Sequence, residues 1–168
     1  MLDPNYLRVL CKINARLSST NVNWVITGSL GFALQGVPVK PNDIDIQTDK
    51  DGAYDIESRF SEFVTKKVIF SSTERIRSYF GELMIDGIKV EIMGDIQKRL
   101  KNRKWETPVN LEYYKRIVKI EGMQIPVLSL EYEYHAYLKL GRIDKAEMLR
   151  EWLHGEDMPS GSSSLNSE

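Results

Sequence analysis

Cysteine is nearly absent from this chain of 168 residues, with Cys11 the only one. No internal disulfide can form, so the fold must rest on its apolar core. Cys11 sits among apolar residues at helical spacing and is expected to be a small core residue. The two histidines, His135 and His154, have no Cys or second His at ligand spacing, which argues against a zinc site. No apolar run approaches the roughly 18 residues that span a bilayer. The opening MLDPNYLRVL lacks the basic and apolar regions of a signal peptide, so a cytoplasmic protein is expected. A basic excess is missing too: 23 Lys and Arg meet 24 Asp and Glu, a net charge of −1. Binding to long nucleic acid is driven by phosphate neutralisation and usually needs that excess, so a polynucleotide partner is disfavoured. Neither GxxxxGKS/T nor GxGxxG occurs, which excludes the two common glycine-rich phosphate loops. Ser71-Ser72 has no partnered base, so a serine hydrolase is not supported.

What remains is an ordinary globular composition, 42% hydrophobic and 28% charged. Asp3 and Pro4 open a helix to Ser18, with Tyr6, Leu7, Leu10, Cys11, Ile13, Asn14 and Leu17 as its stripe. NWVIT, 23–27, is a short strand. Gly28-Ser29 ends it, and a short helix over 30–35 follows. DIDIQ, 43–47, alternates as a half-buried strand. Thr48 or Asp49 caps a helix to Phe60, with Tyr54, Ile56, Phe60 and Phe63 facing inward. A strand over 67–70 and two hairpins are expected, 75–85 with 88–93 around Asp86-Gly87, and 117–120 with 124–128 around Glu121-Gly122-Met123. Ser129 caps a helix to Leu140, and Asp144 with Glu147 forms a capping box for a last helix ending near Gly155. The expected fold class is α/β (α+β), a small mixed β-sheet flanked by helices. One domain spans 1–156, and 157–168 is expected to be a disordered tail.

Three features carry chemistry. Gly28-Ser29 at a strand-to-helix junction lets a ligand approach the backbone and offers a hydroxyl to an anion. Asp43 and Asp45 alternate with Ile44 and Ile46, so both carboxylates share one face of a strand. Like charges side by side repel, and a hard divalent cation with oxygen ligands offsets that repulsion. Glu91, flanked by Val90 and Ile92, projects with Lys89 and Met93 from the opposite face of its strand. It meets the aspartates only if the two strands are neighbours.

Gly28-Ser29, thirteen residues, then Asp43-Ile44-Asp45-Ile46 resembles the signature of the nucleotidyltransferase superfamily that includes DNA polymerase β. The chain is similar to small stand-alone bacterial members and, more distantly, to lincosamide and aminoglycoside nucleotidyltransferases. The resemblance covers about 22–93. It implies a metal-dependent enzyme that moves a nucleoside monophosphate, AMP, from an NTP (ATP) to a hydroxyl by a two-metal mechanism. It implies Asp43, Asp45 and Glu91 as catalytic Mg²⁺ or Mn²⁺ ligands, with Glu91 where many relatives carry Asp. Gly28 and Ser29 would receive the donor's phosphates. Lys139, and secondarily Arg142, resembles the family's basic residue on a C-terminal helix, although cations at a helix end also suit the dipole. The balanced charge favours a small-molecule or protein acceptor over nucleic acid. The alternative on the same fold is a non-catalytic nucleotide-binding or antitoxin-like regulator working beside a helical protein partner.

Overall fold

The computed structural model describes residues 2–153. The tail expected from 157 and the end of the last helix lie outside the described residues. The chain divides after Leu128 into two compact units.

The first unit is built on seven strands: β1 (Trp24–Thr27), β2 (Ile44–Thr48), β3 (Val64–Ser72), β4 (Ile76–Ile85), β5 (Ile88–Lys98), β6 (Lys115–Ile120) and β7 (Met123–Leu128). They form one mixed sheet in the order β3-β4-β5-β2-β1-β7-β6. The β2–β5 and β1–β7 pairs are parallel, and the other four are antiparallel. Its helices are α1 (Pro4–Leu17), α2 (Gly28–Leu34), α3 (Lys50–Arg59) and the short α4 (Leu111–Tyr114), with a 3-10 turn at Ser61–Phe63. This is the mixed sheet with flanking helices that the sequence predicts.

The core lies on one face of the sheet. Ile26, Ile44, Ile46, Val90 and Ile92 join Val9, Leu10, Ile13 and Leu17 of α1 and Ala53 and Ile56 of α3 in one buried cluster. Burying each such aliphatic side chain contributes about 1.5–3 kcal/mol. Alternation along β2 and β5 then sends Asp45 and Glu91 to the other face.

Local signals explain most boundaries. Asp3 caps α1 by accepting from Asn5 N, and Asp49 caps α3 by accepting from Gly52 N. Asp86 and Gly87 both have positive φ, 50° and 80°, as a two-residue turn with the twist of a hairpin demands. Glu121 and Gly122, at 47° and 75°, do the same for β6–β7, so that turn is two residues rather than three. β3 and β5 run further than their apolar stretches indicate, because pairing with β4 carries them through polar positions.

Three expectations fail. Cys11 is exposed rather than part of the core; Val9, two residues earlier and about half a turn round the helix, is buried instead. Tyr54 is 41% exposed, tilted against Tyr79, because α3 turns Ala53 and Ile56 inward. In the second unit, Ser129 caps α5 (Leu130–Lys139) by accepting from Tyr132 N, as expected. The following helix, α6, covers residues 143–153. Asp144 is inside its first turn rather than at its cap, and Glu147 pairs with Arg150 three residues on. The capping box does not form. Among the described residues no helix is long and apolar enough to cross a membrane.

Candidate active site

The parallel pairing of β2 with β5 places Asp45 level with Glu91. The antiparallel neighbours extend that line, with Thr27 opposite Asp45, Glu82 opposite Glu91 and Lys66 opposite Glu82. One transverse row therefore reads Thr27, Asp45, Glu91, Glu82, Lys66 across five adjacent strands. Neighbouring strands lie roughly 4.8 Å apart, so the three carboxylates are consecutive neighbours on a single face. Asp43 immediately precedes β2. Its loop is held from two sides: Tyr6 Oη donates to Asn42 O at 2.6 Å, and Asn42 N donates to Ser29 Oγ at 3.1 Å. Burial, then the charges of Asp43 and Asp3, push the Tyr6 phenol upward, so it stays a donor.

Gly28 opens α2 with φ +69°, a conformation that disfavours any residue with a Cβ. A Cβ built there would lie 2.4 Å from Asp45 Oδ2. The space that the glycine leaves is taken by the Asp45 carboxylate. Burial, then the charge of Glu91, a hydrogen bond shared with Glu91 and the charge of Asp43 raise Asp45 to about 7, with Lys89 opposing. Asp45 Oδ1 is buried and has no hydrogen-bond partner.

An orphaned carboxylate oxygen beside further carboxylates is a donor set of hard oxygens, suited to Mg²⁺ or Mn²⁺ rather than to a soft metal. Asp43, Asp45 and Glu91 fit such an ion by chemistry and by strand placement. As the side chains stand, no three His, Cys, Asp or Glu among the described residues converge closely enough to hold one. Asp43 Oδ2 instead lies 3.5 Å from Lys89 Nζ.

Gly28, Ser29, Asp43, Asp45 and Glu91 are thus brought to one place. Lys139 closes the last turn of α5 and the Arg142 guanidinium lies 5.6 Å from the Tyr137 ring centre; both belong to the second unit. Two residues of the acidic face escape the motif-based reading. Glu82 is visible only once β4 is registered against β5. Gln47, two residues after Asp45, is buried with its Oε1 unpartnered, and alternation alone could have flagged it. A cleft of about 560 Å³ lies at the other end of β1, where Asn14, Trp24 and Lys115 line it. None of Asp43, Asp45, Glu82 and Glu91 borders it.

The model of the aminoglycoside-2''-adenylyltransferase family matches residues 9–150. The crystal structure of a candidate nucleotidyltransferase from Thermotoga maritima is 70% identical, with a TM-score of 0.83 over 92% of this chain and 96% of that one. The antibiotic-resistance factor ANT(2'')-Ia shares the fold at 15% identity and a TM-score of 0.59, covering 99% of this chain and 94% of its own. The lincosamide antibiotic adenylyltransferase LnuA, solved with lincomycin, shares it at 12% identity and 0.56, over 89% and 97%. A search of curated proteins returns no match. With the family model spanning most of the chain, and an acidic row on the sheet, this protein belongs to the aminoglycoside-2''-adenylyltransferase family of nucleotidyltransferases.

Proposed function

We propose that the chain transfers AMP from ATP to a hydroxyl of a small-molecule acceptor, with Asp43, Asp45 and Glu91 holding Mg²⁺ or Mn²⁺. The observation that carries this reading is the register of Asp45 with Glu91, joined to the unpartnered Asp45 Oδ1. Bound there, a pair of such ions would neutralise charge on the attacking and leaving oxygens. The chain's own residues supply the rest. Asp45 lies between its β1 and β5 neighbours, with its carboxylate against the bare backbone of Gly28. Asp43 is positioned by the loop that Tyr6 and Ser29 pin. Glu91, one methylene longer than aspartate, reaches the acceptor hydroxyl side and can take its proton. Ser29 Oγ accepts from Asn42 N, which leaves its O–H to donate to a donor phosphate. Lys139, and after it Arg142, is assigned to the donor's phosphates by family resemblance. We take the functional domain to run over 1–156.

The relatives solved with antibiotics bound, lincomycin on LnuA and adenylyl-2''-tobramycin on ANT(2'')-Ia, guide the acceptor choice. The test is pyrophosphate release from ATP with Mg²⁺ across a panel of polyhydroxylated small molecules, run beside Asp45→Asn. Acceptor-dependent release that Asp45→Asn abolishes supports the reading. Release that persists in Asp45→Asn refutes the assignment of the site.

A further inference from the structure

Lys89 stands two residues before Glu91 on β5, so strand alternation puts it on the acidic face. Ile44 pairs with Val90, which brings Asp43, one residue earlier, level with Lys89. The Lys89 ammonium lies 3.5 Å from Asp43 Oδ2, with the two side chains 38% and 37% exposed. The charge of Glu91 acts on it most strongly, then that of Asp43, while Glu82 adds a smaller share; each favours the ammonium form. Its own charge in turn eases the burden on Asp45.

Four carboxyl groups, Asp43, Asp45, Glu82 and Glu91, meet on neighbouring positions of one sheet face. Like charges opposite one another on paired strands are destabilising. Lys66 lies 3.8 Å from Glu82, at the β4 end of the row. Lys89 reaches the Asp43 and Glu91 end, where the proposed ion ligands are. Lys89 thus contacts the Asp43 carboxylate directly, while Glu91 and Glu82 favour its ammonium form through their charge.

We propose that Lys89 is a built-in counter-ion of the acidic row, exchanged for the divalent cation when one binds. The inference rests on the metal reading given above and adds to it a competitor for the same carboxylates. In the metal-free protein Lys89 lowers the repulsion among Asp43, Glu91 and Glu82. A metal entering the site must break that ion pair, so Lys89 weakens binding of the bare ion. Any state that disengages Lys89 strengthens metal binding, by the reciprocity of linked equilibria.

The test is Mn²⁺ titration without nucleotide, by electron paramagnetic resonance, on wild type, Lys89→Met, Lys89→Arg and Lys66→Met. Lys66→Met removes the same formal charge from the far end of the row. Lys89→Met is expected to bind Mn²⁺ roughly threefold to tenfold more tightly than wild type, the scale of an exposed ion pair with more than one partner. Lys89→Arg and Lys66→Met are expected to stay near wild type. Metal-free Lys89→Met should melt below wild type, and saturating Mn²⁺ should narrow that gap. Equal or weaker Mn²⁺ binding by Lys89→Met overturns the exchange, as does an equal gain from Lys66→Met. Absence of Mn²⁺ binding in wild type and Lys89→Met alike overturns the metal reading and the exchange together, so the two failures are distinguishable.

Discussion

Asp45 and Glu91 are register partners across the parallel β2–β5 pair, and after burial the charge of Glu91 is the largest cause that raises the Asp45 carboxyl. Two carboxylates held side by side repel when both are ionised, which favours the protonated form of the buried Asp45. A hard cation among the same oxygens would relieve that repulsion as a proton does. On the proposed metal reading, loading the site and deprotonating Asp45 go together.

The pH dependence of the metal-free protein follows from this. Asp45 titrates at about 7 in the folded chain, against an ordinary value of 3.8. Between those values the folded state holds more protons than the unfolded one, so stability falls as pH rises from about 4 to 7 and then levels. Asp45→Asn lacks that slope. Chemical denaturation without metal should find Asp45→Asn more stable than wild type by about 1–3 kcal/mol at pH 8, with the gap closing toward pH 4. Parallel stability curves for the two proteins would contradict the placement of Asp45.

Gly28→Ala meets two obstacles, a φ of +69° and a carboxylate oxygen 2.4 Å from the new Cβ. Strain of this kind costs about 1–3 kcal/mol, and the displaced Asp45 should take turnover with it. In an Asp45→Ala background the clash partner is gone, so the same glycine substitution should cost less. Denaturant titration of the four proteins measures that coupling. Additive losses would show that the glycine answers to backbone conformation alone.

Glu91→Ala is expected to reduce turnover by roughly 100-fold or more, the scale of a lost proton acceptor, while nucleotide affinity changes little. Single-turnover kinetics beside equilibrium binding separates these two effects. A variant that fails to fold would make Glu91 a structural residue of β5.

Much of this site is legible in the sequence, and for a physical reason. Alternation in DIDI fixes which face Asp43 and Asp45 share before any tertiary contact is known, and Asp86-Gly87 fixes the β4–β5 hairpin. Register between distant strands is another matter. Nothing local to Asp45 or Glu91 says that β2 and β5 are neighbours, and nothing local to Glu82 says it continues the row. Cys11 shows the same limit on a helix: a wide apolar stripe does not say which flank turns outward, and Val9 rather than Cys11 enters the core. Gly28 reads in the sequence as room for a phosphate, whereas in the fold the room is filled first by Asp45.

The central claim is a metal-dependent nucleotide site on the Asp43, Asp45 and Glu91 face. It is tested most directly by thermal shift of wild type and Asp43→Ala/Asp45→Ala with each of the four NTPs, with and without Mg²⁺. The account predicts that ATP with Mg²⁺ raises the wild-type melting temperature by about 5–10 °C at a hundredfold excess over Kd. That shift should vanish without Mg²⁺ and in the double variant. An equal shift in the double variant, or none with any NTP, would contradict it.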